Sequence, residues 1–297
     1  MTKTESQLGG VITALVTPFN KGELDLASLR RLVRHQLEQG VQGFVINGTT
    51  GESPTLKWSE VETLFETVRT EVAGQVPLIL GTGSNCTATS VEKTRRAAEL
   101  KADAALVVVP YYNKPPQRGL EQHFTAVAHA ASIPVVLYNV PGRTIANLEP
   151  ATAGRLSRVD GIVGIKDATG DMGVLESLRS AARPGFVLLS GDDGSCVDFC
   201  ARGGQGVIAV ASHVIGREMV EAVTQARSGK AGVAEAYQAE FASLMRWLYC
   251  EANPIPVKMA LHWMGLLTSA ELRLPMIALD EKFHKDLKAC LKDLAKI

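Results

Sequence analysis

The sequence predicts an α/β protein, a (β/α)8 TIM barrel followed by a C-terminal helical domain. Three observations carry that reading. Eight short Val/Ile/Leu-rich runs recur along the chain, with amphipathic helical patterns between them. The runs are almost continuously apolar, as strands covered on both faces should be, rather than alternating like strands with one wet face. No dinucleotide-binding glycine fingerprint accompanies the units, which weighs against the doubly wound open sheet, the structural alternative. The last unit closes near Ser228, close to the roughly 250 residues such barrels use.

In order, the strand runs are Val11–Thr17, Gly43–Asn47, Pro77–Gly81, Ala104–Pro110, Pro134–Tyr138, Ile162–Lys166, Phe186–Ser190 and Gly206–Val210. Helical patterns include Leu26–Gln39, Ser59–Val72, Ser90–Leu100 and Gly119–Ala130. Ser59 is placed to cap the second of these, and Glu62 three residues on would complete a capping box. Beyond Ser228 the strand signal stops. The tail from Ala231 to Ile297 has helical patterns broken at Asn253-Pro-Ile-Pro256 and near Pro275. The expected division is a barrel over residues 1–229 and a helical domain over 230–297.

Composition narrows the function classes. Of 297 residues, 46% are apolar, enough for a large core. Lys plus Arg and Asp plus Glu each number 31, a balance that argues against a nucleic-acid or membrane-surface partner. The five cysteines are odd in number and form no C-x-x-C pair, so reduced thiols and a cytoplasmic location are expected. The polar stretch Met1–Gly10 has no apolar signal core. No apolar run reaches the ~20 residues of a membrane span.

Barrel chemistry sits at the C-terminal ends of the strands. Here those ends bring Thr17, the turn Gly48-Thr-Thr-Gly-Glu52, Pro110-Tyr-Tyr-Asn113, Tyr138-Asn-Val-Pro-Gly-Arg143, Lys166-Asp-Ala-Thr169 and Gly191-Asp-Asp193 to one mouth. Lys166 is the most informative. A lysine at the tip of a buried strand is partly out of water, which favours the free amine that attacks a ketone to form a Schiff base. Tyr138, ending the neighbouring run, offers a phenol to move the protons that step requires. The bland alternative for Lys166 is a side chain that snorkels to solvent. The glycine turn lacks the lysine and spacing of a phosphate-binding P-loop, but its amides and hydroxyls can grip a small carboxylate. Arg143 offers a fork for a second carboxylate. Asp192 and Asp193 invite a metal reading, yet no second ligand cluster stands at another strand end, so they are expected to cap a helix or accept hydrogen bonds. Lys258 is a rival nucleophile, expected in the helical tail away from the strand ends.

These segments, with Asn253-Pro-Ile-Pro-Val-Lys258 and Leu272-Arg-Leu-Pro275, occur in the order found in the dihydrodipicolinate synthase / N-acetylneuraminate lyase family. From about Gly10 to about Pro275 the chain resembles that family. The resemblance implies that Lys166 forms the Schiff base with pyruvate and that Tyr138, Thr49 and Tyr112 form a proton relay. It implies a pyruvate site lined by Thr50 and Ile208, with Gly191 among the substrate-binding residues. Arg143 would hold the carboxylate of L-aspartate 4-semialdehyde, and the product would be 4-hydroxy-tetrahydrodipicolinate, on the diaminopimelate route to lysine. Neither a metal nor an organic cofactor is implied. Sialic-acid lyases of the family usually carry Ser-Thr in place of Thr49-Thr50 and lack the arginine. The synthase pattern holds at both positions here, so Arg143 and Thr49 argue against the nearest rival, another Schiff-base aldolase acting on a 2-keto-3-deoxy acid or N-acetylneuraminate; a non-catalytic binding protein on the same fold is the next.

The resemblance also implies a homotetramer, a dimer of tight dimers, in which Tyr111 reaches toward the dimer axis and Tyr112 enters the neighbour's relay. Lysine-inhibited relatives commonly read N-A-T-A-E after the third strand. Here the segment is Asn85-Cys-Thr-Ala-Thr89, with threonine in place of the acid, and Trp58 and Val61 stand where polar residues are common. A neutral threonine cannot offset the desolvation of a ligand's ammonium, so weak or absent inhibition by L-lysine is expected, the alternative being that another acid, such as Glu52 or Glu92, supplies the charge.

Overall fold

A computed structural model describes residues 8–297; the first seven residues of the polar N-terminal stretch lie outside it. Eight parallel strands close into a barrel: β1 (Gly10–Ala14), β2 (Phe44–Ile46), β3 (Leu78–Gly81), β4 (Ala104–Val108), β5 (Val135–Asn139), β6 (Ile162–Asp167), β7 (Val187–Ser190) and β8 (Gly206–Ala209). Each pairs with its neighbours in chain order, and β1 closes the ring on β8 with Gly10 opposite Gly206 and Ile12 opposite Ile208. All eight apolar runs become strands. Several end earlier than their apolar pattern, because the residues beyond leave the ladder to form the mouth: at β2, Asn47 already turns to φ +59. A small ribbon pairing Phe19–Asn20 with Glu23–Leu24 had no sequence expectation.

The barrel is surrounded by α1 (Leu26–Glu38), α2 (Trp58–Val72), α3 (Thr87–Glu99), α4 (Gln117–His129), α5 (Pro150–Leu156), α6 (Met172–Ala181), α7 (Cys196–Ala201) and α8 (Ser212–Arg227). The expected cap at Ser59 is corrected. Helix α2 starts one residue earlier, and the Glu60 carboxylate, not Glu62, reaches back to the Lys57 N–H at 2.8 Å. Helices α3 and α4 also begin before Ser90 and Gly119. The tail forms α9 (Val233–Leu248), α10 (Ile255–Trp263) and α11 (His284–Asp293). Their apolar faces, with Tyr237, Phe241, Leu261 and Leu287, join one cluster with Leu29, Leu64, Phe65 and Met219 from the helices around β1 and β2. That shared apolar surface fixes the tail against the barrel.

Inside the barrel, Ile12, Val45, Ile79, Leu106, Val136, Val163, Leu189 and Ile208 pack together as a solid core. Strand β6 departs from simple alternation. Val135 of β5 stands opposite Ile162, but Val136 stands opposite Gly164, so β6 carries one extra residue. Ile162 and Ile165 face the outer helices, while Val163 faces inward. Lys166 then falls opposite Tyr138 on the inner face.

A buried polar network joins β1, α1 and α8. Thr13 donates to Gln36 Oε1 at 2.9 Å and meets Ser212 at 3.0 Å. His213 is fully buried; its Nε2 accepts from the Val16 N–H at 3.3 Å, and Nδ1 faces the Val210 carbonyl at 2.9 Å. Burial lowers the His213 pKa to about 4, and His123, packed edge-on against Phe124, is likewise lowered to about 4 by burial. An unfolded chain would take up these protons near the ordinary value of 6.5. The stability conferred by neutral histidines is therefore complete above about pH 6.5 and is lost as pH falls toward 4. Denaturant midpoints should drop measurably between pH 7.5 and pH 4.5, and replacing His213 with glutamine should flatten that dependence. An unchanged slope in the variant would remove His213 from the account.

Candidate active site

Lys166 is 6% exposed, and its Nζ lies 4.4 Å from the centre of the Tyr138 ring. Its position depends on two glycines. A Cβ on Gly164 would stand 2.6 Å from the Val187 carbonyl oxygen, so the extra residue in β6 fits only without a side chain. A Cβ on Gly191 would stand 2.7 Å from Lys166 Cε, so the lysine stem crosses bare backbone on its way to the mouth. The strand tips are locked together. Asn139 Nδ2 donates to Asp167 Oδ2 at 3.0 Å, and Asp167 Oδ1 accepts from the Thr169 N–H at 3.1 Å and from its hydroxyl.

The turn after β2 carries Thr49 and Thr50. Asn47 Nδ2 donates to the Gly81 carbonyl at 2.7 Å, and the Thr17 hydroxyl donates to the Gly51 carbonyl at 2.7 Å. The turn ends at Glu52, in the left-handed region at φ +55 and 3% exposed. Here the expectation for Lys258 is corrected. It does not stand apart from the strand ends. Its side chain is fully buried, with Nζ 2.7 Å from Glu52 Oε1 and 2.8 Å from the Thr17 carbonyl. The Arg273 N–H completes the Glu52 carboxylate at 3.0 Å. Burial lowers the Lys258 pKa while Glu52 acts to raise it. This lysine is committed to an ion pair and is not a free amine.

A cavity of about 480 Å³ opens over Lys166, lined by Thr49, Thr50, Tyr138, Arg143, Gly191 and Asn253 among others. A second space of about 270 Å³ adjoins it, sharing Thr49, Tyr138 and Arg143 and reaching Ser53, Lys93 and Tyr111. Arg143 sits on a single helical turn, Pro141–Thr144, and donates to the Asn253 carbonyl at 3.3 Å. The two aspartates are used internally. Asp192 Oδ2 accepts from the Ser195 N–H at 2.9 Å and hydroxyl at 2.6 Å. Asp193 accepts from the Val210 and Ala211 N–H groups and from the Tyr249 hydroxyl at 2.8 Å. Burial raises the Asp193 pKa, and these donors oppose the rise.

Of the residues expected in the site, Lys166, Tyr138, Thr49, Thr50, Arg143 and Gly191 converge on the cavity. Ile208 lies in the barrel core beneath it, 1% exposed, and Val210 lines the wall instead. Tyr112 is 86% exposed at φ +74 and lines neither space within this chain. Asn253 and Tyr249, from the helical tail, line the cavity without having been expected. Asn253 was visible as the residue preceding a helix-breaking proline, which marks a boundary rather than a contact, and as part of a segment matching the family, with no role attached to it.

A buried lysine over a phenol, two hydroxyls on a glycine turn and an arginine across the cavity form a site suited to imine chemistry on a carboxylate-bearing ketone. The model of the dihydrodipicolinate synthetase family matches residues 7–294. The chain belongs to this family. It is 53% identical to the 4-hydroxy-tetrahydrodipicolinate synthase of Bdellovibrio bacteriovorus over 95% of this chain and 97% of that protein. It is similar to the chloride-inhibited dihydrodipicolinate synthase of Acinetobacter baumannii, solved in complex with pyruvate, with a TM-score of 0.95 and 41% identity over 98% of this chain and 100% of that one. It is also similar to the family enzyme of Cyanidioschyzon merolae solved with lysine bound, with a TM-score of 0.94 and 39% identity over 98% and 99% of the two chains.

The Glu52–Lys258 pair gives a test of how the tail supports the family's turn. Removing one buried partner strands the other charge, at a cost of about 3–5 kcal/mol, whereas removing both can be nearly neutral. Lys258→Met should therefore lower the denaturation midpoint strongly. Adding Glu52→Gln should restore most of it. A double variant as unstable as the single one would mean that the pair contributes through packing alone.

Proposed function

We propose that the chain is a class I, Schiff-base enzyme that condenses pyruvate with L-aspartate 4-semialdehyde to give 4-hydroxy-tetrahydrodipicolinate, in the diaminopimelate route to lysine. The observation that carries this reading is Lys166 held inside the barrel mouth against Tyr138, with Arg143 on the same cavity. The Lys166 amine adds to the ketone and water leaves, giving an iminium ion that acts as the electron sink. Loss of a methyl proton gives the enamine, whose carbon attacks the aldehyde. The amino group of the semialdehyde then displaces Lys166 from the imine, closing the ring and freeing the enzyme. One water is released overall.

Within this scheme Tyr138, Thr49 and Tyr112 relay protons, Thr50 and Gly191 border the pyruvate, and Ile208 supports it from below. Arg143 clamps the semialdehyde carboxylate and so removes much of the entropic cost of bringing two substrates together. The barrel over residues 1–229 supplies the chemistry, and the helical domain over 230–297 braces it. Exposed Tyr112 with the neighbouring exposed Tyr111 supports a second copy seated against this edge, and the reading extends this to a homotetramer built from such dimers. The free thiols Cys86, Cys196, Cys200, Cys250 and Cys290 support a cytoplasmic setting.

Pyruvate and borohydride should leave a reduced pyruvyl adduct on the Lys166 peptide by mass spectrometry, and Lys166→Ala should abolish it. Tyr138→Phe should still bind pyruvate but lose about 10²–10⁴-fold in rate. Arg143→Ala should weaken use of the semialdehyde while imine formation survives. An adduct on Lys258, or cleavage of a 2-keto-3-deoxy acid in preference to condensation, would overturn the reading.

Inhibition by L-lysine should be weak or absent. Thr89 supplies no acid, Glu52 is occupied by Lys258, and Lys93 adds like charge beside Tyr111. Titration of the condensation assay decides the point: half-inhibition below about 1 mM, a binding free energy near −4 kcal/mol, would contradict it.

A further inference from the structure

Asn253 makes two connections across the cavity. Its side chain is nine-tenths buried, and Nδ2 donates to the Thr50 hydroxyl oxygen at 2.9 Å. Its backbone carbonyl accepts from Arg143 at 3.3 Å. It lines the same cavity as Lys166 and Thr50 although it belongs to the helical tail. Its Oδ1 is buried without a partner among the described residues.

The direction of the first bond matters chemically. A threonine hydroxyl has one proton to give and two lone pairs to accept. Thr50 is 2% exposed, so solvent does not compete freely for that proton. Because Asn253 donates to its oxygen, the proton remains free for an acceptor in the cavity. A carboxylate only accepts. We propose that Asn253 is a positioning residue, committing the Thr50 hydroxyl to donate to the carboxylate of the keto acid bound at Lys166. This inference rests on the Schiff-base reading of the site. With an acceptor in place of the Nδ2 amide, Thr50 would turn its proton away from the cavity, and an aspartate there would also set a like charge beside the substrate.

The test is the half-saturating pyruvate concentration for the borohydride-trapped imine, measured alongside the melting temperature. Asn253→Ala should raise it roughly fivefold, the scale of one lost hydrogen bond between uncharged groups. Asn253→Asp, nearly isosteric, should raise it further, and the added penalty should shrink as the pH is lowered through the carboxylate's titration. In a Thr50→Val background, Asn253→Ala should change it no further, because the asparagine acts through the missing hydroxyl. Multiplying effects in the double variant, or an unchanged value with only a lowered melting temperature, would overturn the assignment and leave a structural role. Absence of any imine in the unsubstituted chain would instead overturn the Schiff-base reading, and this inference with it.

Discussion

The site depends on one extra residue in strand β6. A parallel strand shows alternate side chains to its two faces, so a regular β6 with Val163 inward would also send Ile165 inward and turn Lys166 out among the helices. Doubling Val163 and Gly164 against Val136 reverses that phase. Ile165 packs outside with Leu175 and Leu178, and Lys166 faces the cavity. The phase change is possible because Gly164 can lie against the β7 backbone where any Cβ would collide. Lys166 is thus placed by a backbone irregularity, and Gly191 clears the path for its stem.

A second constraint comes from the far end of the chain. The turn bearing Thr49 and Thr50 bends through left-handed residues at Asn47 and Glu52, conformations that non-glycine residues hold only when their surroundings over-determine them. The tail supplies much of that determination. Lys258 and the Arg273 N–H satisfy Glu52, and Asn253 meets Thr50. The Arg273 guanidinium clasps Glu60 and lies 4.3 Å from the Phe19 ring centre. The helical tail is therefore part of the site's rigidity, and its shared apolar core with α1, α2 and α8 keeps those polar contacts in register.

What the sequence made legible follows the range over which each signal acts. Apolar runs and helical periodicity are local, and all eight strands stood where their runs indicated. Strand-end motifs combine local pattern with one barrel rule, which was enough to bring Lys166, Tyr138, Thr49, Thr50 and Arg143 together. The β6 irregularity left no trace in an apolar run, because Val163 and Ile165 are equally at home on either face. The pairing of Glu52 with Lys258 and of Thr50 with Asn253 spans some two hundred residues, and neither partner's neighbours carry information about the other. Ser59 and Lys57 are a near case. Two overlapping start signals competed, and the acid at Glu60 favoured the earlier one.

The charges left facing the cavity explain the kind of molecule it can hold. Asp192 is the only acid among the residues lining either space, and its Oδ2 already takes two donors from Ser195. Asp193 and Asp167 are satisfied behind the wall by backbone and side-chain donors, and Glu52 by Lys258. Lys166, Arg143 and Lys93 point the other way, so the balance is positive. In the proposed scheme the Lys166 Schiff base is cationic in its protonated form, and the low-dielectric barrel wall keeps that charge effective. The acids are spent on holding the scaffold, which leaves the cations free to meet two carboxylate-bearing substrates in turn.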